Sequence, residues 1–368
     1  MHPLQKPHIY AILLPFACLY RAGVTLRNWC FKRGILTSRS FALPVICVGN
    51  ISVGGTGKTP HTEYLIRLLS DTFQVAVLSR GYKRKSKGFV LAQQGTSMEE
   101  LGDEPFQMWG KYPQIKMAVD RDRCHGIEQL SQLTHPQVDV IVLDDAFQHR
   151  YVKPGLTLLL IDYNRPIFRD ALLPAGRLRE PQEGKERADI IIVSKCPEHM
   201  GTEEQKEWYD AIAPLPHQQV YFTTFKYRHL CNVFQPEKTR ALESLSSEAH
   251  ILLLTGIASP APLISKLSEY TRHITPLSFP DHHMFTEEDI QRLTKVFQRL
   301  PEGKRIIFTT DKDAVRIRNC RSLSPALREA LYTLPIEVGF LNEKESLFNQ
   351  NIMEYVRKNS RNSCLSEG

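Results

Sequence analysis

The chain has 368 residues and ordinary globular composition, long enough for two domains but with no run apolar enough to read as a membrane span. Its net charge of +7 is local: Lys6, Arg21, Arg27, Lys32, Arg33, Arg39 and Lys58 precede the first acidic residue, Glu63, and the remainder is balanced. That distribution excludes a general nucleic-acid binder and points to one basic surface. The eight cysteines are scattered without CxxC spacing, which excludes a cysteine zinc site or redox motif and fits a reducing compartment.

Residues 9–20 are apolar but shorter than a spanning helix, and the pattern then turns amphipathic and basic through Arg33. Three readings compete: a secretory signal, a helix packed on the first domain, and an interfacial helix with its apolar side in lipid and its cations at anionic headgroups. The last is favoured. Pro15 is expected to break or kink that helix.

Pro44-Val45-Ile46-Cys47-Val48 reads as a buried strand, and the apolar residues of Pro60–Leu69 recur at helical spacing. Between them lies Ser52-Val53-Gly54-Gly55-Thr56-Gly57-Lys58-Thr59. Strand, glycine loop, Lys-Thr and helix form a phosphate cradle: glycines let backbone N–H groups turn toward anionic oxygens, and the helix N-terminus adds its dipole. Lys58 is expected at the β- and γ-phosphates and Thr59 at a Mg²⁺ ion. Ser52 stands where the usual pattern begins with Gly.

Gln74–Ser79 reads as the next strand, followed by the basic loop Arg80–Gly88. Gly102-Asp103-Glu104-Pro105 opens a helix, where Asp103 is either a cap or a functional acid. Val119-Asp120-Arg121-Asp122-Arg123 sets two cations among two anions, where an arginine can serve a transferring phosphoryl group or merely a surface ion-pair cluster. The apolar run Val138–Leu143 ends in Asp144 and Asp145. A strand-terminal carboxylate beside a phosphate loop suits the Mg²⁺ shell, and strand C-terminal ends collect ligands in open α/β sheets. Gln148 and His149 follow in the same loop. Further buried strands are expected at Leu156–Ile161 and Ile190–Val193, and Ser194-Lys195-Cys196-Pro197 could touch the nucleotide base.

The pattern breaks at Pro214-Leu215-Pro216, and Val220–Phe225 reads as a connecting strand. A second alternating series follows, with strands at Ile251–Leu254, Arg305–Thr309 and Ile336–Phe340 and helices at Pro262–Tyr270 and Glu287–Leu300. Thr286 is expected to cap the latter, with Asp289 at its third position, and Asp281 beside His282 suits a polarised base. A last helix, Glu345–Val356, is expected to fold back on the first domain. The expected fold is therefore α/β, a P-loop NTPase-type, mainly parallel sheet with helices on both faces, plus a smaller second α/β domain and an N-terminal amphipathic helix. The expected division is 1–35 membrane-associating helix, 36–215 kinase domain, 216–342 smaller domain, 343–358 C-terminal helix and 359–368 disordered tail.

These segments together resemble a known family. Gly49-Asn50-Ile51-Ser52-Val53-Gly54-Gly55-Thr56-Gly57-Lys58-Thr59-Pro60 is the most specific marker. Ser79-Arg80-Gly81-Tyr82, Gly102–Pro105, Leu143–His149, Leu173–Pro181, Asp281-His282-His283 and Thr310-Asp311-Lys312-Asp313 follow in order. The chain is similar to the lipid A 4′-kinases of Gram-negative bacteria over nearly its whole length, and Ser52 belongs to that family's own loop. The resemblance implies transfer of the ATP γ-phosphoryl group to the 4′-hydroxyl of a tetraacylated glucosamine disaccharide 1-phosphate, forming the lipid IVA precursor. It places the chain at the cytoplasmic face of the inner membrane, with no nucleic acid and no obligate protein partner. It implies that Lys58 and Thr59 hold phosphates and Mg²⁺, and that Asp144 and Asp145 complete the metal environment. It makes Asp103 the base, with His282 its partner from the other expected domain. Arg121 or Arg123, together with Asn50, Gln148, Arg179 and Glu180, would line the phosphate and acceptor site. The competing class is a switch-type ATPase or GTPase for protein sorting or metal insertion. Val53 counts against it, because the loop of some such proteins carries a lysine there.

Overall fold

The computed structural model describes residues 9–257, 260–280, 283–318, 320 and 322–360. The expected Asp281–His282 base and the tail from 361 onward lie outside the described residues. The chain divides into two compact units, Met1–Phe225 with Val338–Gly368, and Lys226–Glu337.

The strands of the first unit are β1 (Val45–Gly49), β2 (Val75–Ser79), β3 (Val90–Leu91), β4 (Lys116–Val119), β5 (Val140–Asp144), β6 (Leu156–Asp162), β7 (Ile190–Ser194) and β8 (Gln219–Tyr227). Those of the second are β9 (Leu230–Asn232), β10 (Thr239–Arg240), β11 (His250–Thr255), β12 (Ile274–Ser278), β13 (Arg305–Thr309) and β14 (Leu331–Thr333); β15 (Ile336–Phe340) returns to the first sheet. The helices are α1 (Leu14–Lys32), α2 (Lys58–Ser70), α3 (Met98–Leu101), α4 (Asp103–Lys111), α5 (Arg123–Ser131), α6 (Thr202–Ile212), α7 (Ala261–Ser268), α8 (Glu287–Gln298), α9 (Asp311–Arg318), α10 (Pro325–Ala330) and α11 (Glu345–Asn359).

In the first sheet the order is β15-β8-β7-β6-β1-β5-β2-β4-β3. The pairs from β8 to β4 are parallel, and β3 closes the edge antiparallel to β4. Alternation along the strands feeds two apolar layers. Ile46, Val48, Val140, Val142, Leu158 and Leu160 face α2, α4 and α11. Val45, Cys47, Ile141 and Leu143 face α5, while Leu159, Ile161, Ile191 and Val193 face α6. The last helix is held by Phe348, Ile352 and Val356 in the core and by the Tyr64 hydroxyl, which donates to Asn349 Oδ1 at 2.7 Å.

The sequence expectation placed the border near residue 216. Instead β8 pairs with β7 from Gln219 to Phe222 and so belongs to the first sheet over most of its length. The second sheet runs β10-β9-β14-β13-β11-β12, with β11, β12, β13 and β14 parallel and β9 antiparallel to its neighbours. The Thr286 capping box with Asp289 is present at α8.

Pro15 does not kink α1. It sits in the first turn, where its missing N–H would have had no helical partner, and the helix continues to Lys32. The expectation of a break failed because the helix starts at Leu14, after a short 3₁₀ turn, and not at Ile9.

Candidate active site

The phosphate loop connects β1 to α2. Gly57 lies in the left-handed region at φ 83°, and a Cβ there would come 2.8 Å from the Phe225 ring, so glycine is required on both counts. Asn50 is fully buried, and its side-chain amide donates to Thr56 Oγ1 at 2.8 Å across the loop. At the loop's entrance Ser52 bridges to Leu178, Val53 N donates to Arg177 O at 2.8 Å, and Arg179 N donates to Ile51 O at 2.7 Å. The Arg177–Glu180 segment thus pairs with the loop like a short strand. Arg177 contributes its carbonyl to this pairing, which is indifferent to the side chain.

β5 lies beside β1 and delivers Asp144 and Asp145 to the same edge. Asp144 is buried, and its carboxylate accepts from Thr62 Oγ1 at 3.2 Å and Ser79 Oγ at 3.4 Å. Burial, with the charges of Glu104 and Asp145 adding to it, pushes the Asp144 carboxyl up to about 7. Asp145 turns the chain at φ 49° and meets two cations, Lys58 Nζ at 3.6 Å and Arg179 Nη1 at 3.3 Å. Asp residues tolerate this left-handed backbone better than most.

Behind Asp145 the residues form a chain of bonds. Gln148 Nε2 donates to Asn50 O at 2.7 Å and Glu180 Oε1 at 2.9 Å, and Gln148 Oε1 accepts from Arg179 at 3.3 Å. Arg187 pairs with Glu180 at 2.8 Å and lies over the Phe147 ring. The structure therefore brings Lys58, Asp144, Asp145, Asn50, Gln148, Arg179 and Glu180 together. Thr59 is the second residue of α2, one position from Lys58.

Asp103 is the first residue of α4, with Gly102 as the cap, so it is not a capping aspartate. Gly102 lies against Gly81 and the Tyr82 carbonyl, which sets the Ser79–Tyr82 loop beside the start of α4. Of the two candidate arginines, Arg123 is buried and Arg121 exposed. Burial and the neighbouring Arg80 lower the Arg123 guanidinium, while Asp145 and Asp144 counter them, so Arg123 shares the field of the two carboxylates. Arg121 meets Arg123 through its carbonyl, which accepts Nη1 at 3.0 Å.

Sequence reasoning did not single out Glu104, Ser79, Thr62 or Arg187 as site residues, and it marks Arg80 only as the start of a basic loop that is either a solvated charge run or a phosphate-binding element. The first two stand inside quoted motifs. Thr62 faces Asp144 only because α2 packs on β5, and nothing in the sequence marks Arg187. Ser194 and Lys195 are turned toward the phosphate loop: Ser194 Oγ donates to Thr56 O at 2.8 Å, and Lys195 Nζ donates to Gly55 O. Asp122, Cys124 and His149 place ligand atoms within 4.8 Å of one another. We assign no ion to them, because Asp122 caps α5, the Cys124 thiol donates to Tyr151 O, and the cationic Arg123 acts on His149.

A buried carboxylate at a strand end and a half-buried one in the turn after it, beside a lysine, a glycine loop and a helix N-terminus, are the parts of a phosphoryl-transfer site. The oxygen donors Asp144, Asp145 and Thr59 suit a hard divalent cation, and the crowding that raises the Asp144 carboxyl is relieved by one. The family described as tetraacyldisaccharide-1-P 4′-kinase matches residues 9–356. The chain belongs to this family. It is 56% identical to the tetraacyldisaccharide 4′-kinase of Phocaeicola vulgatus over 96% of this chain and 97% of that one. It is 45% identical to that of Flavobacterium johnsoniae over 95% of this chain and 97% of the other. Among solved structures it is similar to LpxK from Aquifex aeolicus in complex with ATP, with a TM-score of 0.72 and 29% identity, covering 94% of this chain and 98% of that one. The enzyme is thus a kinase of α/β fold, and the switch-type ATPase or GTPase reading is not favoured.

Proposed function

We propose that this kinase binds Mg-ATP at residues 52–59 and transfers the γ-phosphoryl group to the 4′-hydroxyl of a tetraacylated glucosamine disaccharide 1-phosphate. The family match supports the reaction, and one observation supports the site: Lys58 and the paired carboxylates Asp144 and Asp145 meet at the end of β1 and β5. Lys58 neutralises charge on the β- and γ-phosphates. Asp144, Asp145 and Thr59 would hold Mg²⁺, which when bound shields the phosphate charge. Arg179, fixed by Asp145 and Gln148, presents a guanidinium to the acceptor side together with Glu180. Arg123 supplies further positive potential, and Arg121 stands at the exposed rim.

Asp103 takes the proton of the attacking hydroxyl. The part played by His282 rests on the family resemblance alone. The deciding experiment is the mass of the product after incubation with Mg-ATP and the disaccharide 1-phosphate lipid. Gain of one phosphoryl group on the distal sugar is expected, and an unaltered lipid with ATP hydrolysed would reject the reading.

The acceptor is a lipid, and α1 suits its surface. No described helix is long and apolar enough to cross a membrane. α1 instead packs through Tyr20, whose hydroxyl donates to Arg179 O at 2.7 Å, and through Arg27, Asn28 and Phe31 against Gln148, Arg150 and Tyr151. Leu19, Leu26 and Trp29 share the opposite, exposed face. We assign that face to the acyl boundary of the inner membrane's cytoplasmic leaflet, with Arg21, Lys32 and Arg33 at headgroup level. Sedimentation with anionic vesicles tests it: a variant with Leu19, Leu26 and Trp29 changed to Ser should stay in the supernatant while keeping its ATP affinity. Unchanged sedimentation would remove the helix from membrane docking.

A further inference from the structure

The end of β7 carries a lysine that touches the phosphate loop from outside. Ser194 and Asp162 are register partners on β7 and β6. The next residue, Lys195, takes the left-handed backbone at φ 61°, a conformation a long side chain adopts only when its surroundings require it. Its ammonium donates to the Asp162 carboxylate at 2.6 Å and to the Gly55 carbonyl. Asp162 is buried, and its other oxygen accepts Asn164 N at 2.9 Å. Ser194, fully buried, donates to the Thr56 carbonyl at 2.8 Å. Two successive loop carbonyls are therefore held by two successive residues of one strand end.

The geometry of the peptide unit gives this pairing its consequence. A planar trans peptide directs its C=O and N–H to opposite sides. Fixing the Gly55 carbonyl toward Lys195 aims the Thr56 N–H the other way, and fixing the Thr56 carbonyl toward Ser194 does the same for the Gly57 N–H. The Thr56 N–H meanwhile rests on the Gly54 carbonyl at 3.1 Å, a local bond that an anion can replace. A flipped glycine peptide would present a carbonyl oxygen to the phosphate in place of a donor, turning attraction into repulsion. Glycines make such flips easy, so a loop of this composition needs an external hold.

We propose that Lys195, seated on Asp162 and seconded by Ser194, is a positioning residue for triphosphate binding, locking the Gly55 and Thr56 carbonyls out of the cradle. On this reading it serves the loop and not the base. This rests on the reading of residues 52–59 as the phosphate cradle, and Lys58→Ala is the independent control for that reading.

The test measures direct binding by calorimetry of the full-length protein with two ligands, ATP and inorganic tripolyphosphate, which has no base. Lys195→Met is expected to weaken both by about ten-fold, the usual scale for losing a charged hydrogen bond. Lys195→Arg should recover most of the loss, and KM for the lipid acceptor should not change. Weakening of ATP alone would make Lys195 a base contact, and unchanged affinity for both would leave it without a role; either result overturns the proposal. Circular dichroism confirms folding. Should Lys195→Met not fold, Ser194→Ala and Asp162→Asn decide instead: reduced affinity for both ligands supports the hold, and wild-type affinity in both variants overturns it. Wild-type tripolyphosphate affinity in Lys58→Ala would reject the cradle itself, whatever Lys195 does.

Discussion

The two sheets end in similar ways and treat charge in opposite ways. In the second unit the C-terminal ends of β11 and β13 hold Asp313, which is fully buried. It accepts Gly256 N at 2.9 Å, Thr310 Oγ1 at 2.7 Å and Arg316 Nη1 at 3.0 Å, and Arg316 is itself buried. Both Asp313 oxygens have donors, and Arg316 is its buried ion-pair partner. In the first unit the end of β5 holds Asp144, whose carboxyl is raised by burial and by its acidic neighbours, and the start of α5 holds Arg123, whose guanidinium is lowered by burial and by Arg80. Burial outweighs the opposite charges nearby, Lys58 for Asp144 and the two aspartates for Arg123, so neither group is fully compensated. A closed network is what stability selects, whereas strained ionisation is what a site awaiting charged ligands looks like.

The largest departure between the two regions should appear in turnover. Asp103→Asn removes the proposed base and should lower kcat by roughly 10² to 10⁴, with ATP affinity and melting temperature little changed. Full turnover in the folded variant would return Asp103 to a structural part at the start of α4. Next in size is Lys58→Ala with Thr59→Ala, expected to cost on the order of 10² to 10³ in rate while the fold persists. A similar rate in the purified variant would mean that the glycine loop is only a turn.

The second region should answer in stability. Arg316→Met strands the buried Asp313 charge and should cost about 3–5 kcal/mol in chemical denaturation, with no direct loss of ATP affinity. A silent substitution would show that Asp313 is satisfied by Gly256 and Thr310 alone, and the contrast between the two strand ends would fail.

Much of this was legible before the structure. The strand–loop–helix around Gly57-Lys58-Thr59 is local in sequence, and the apolar run ending at Asp144-Asp145 marks a buried strand by itself. The parallel sheet then brings both to one edge. What could not be read is what depends on packing between distant segments. Arg123 is buried because it opens α5 against the sheet, while Arg121 stands in the exposed turn before the helix. Glu104 raises the Asp144 carboxyl across the gap between α4 and β5. The pairing of Ser52 with Leu178 explains why the loop opens without glycine, since that stretch is extended and bridged. Ser194-Lys195 looked placed for the base because it follows a strand; its turn toward Gly55 depends on Asp162, a register partner that no local pattern announces.

The smallest expected effect concerns pH and the sign of one carboxylate's contribution. The Asp144 carboxyl stands at about 7 in the folded protein against an ordinary 3.8. The fold therefore favours its neutral form. That contribution is complete below 3.8 and is lost as pH rises through about 7, where the ionised group is held in a buried, acidic setting. In the metal-free protein Asp144→Asn should thus be the more stable variant above neutrality, with a gap that opens between 3.8 and about 7 and then stays constant. The full shift would be worth about 4 kcal/mol, and relaxation around the carboxylate is expected to leave only a fraction of it. Excess Mg-ATP should reverse the order, because only the wild-type carboxylate gains from the cation. Thermal melts of both proteins in chelator and in Mg-ATP across that range check it. A gap that widens toward low pH would mean that Asp144 is stabilised as an anion by Lys58, Thr62 and Ser79. The two strand ends would then handle charge alike.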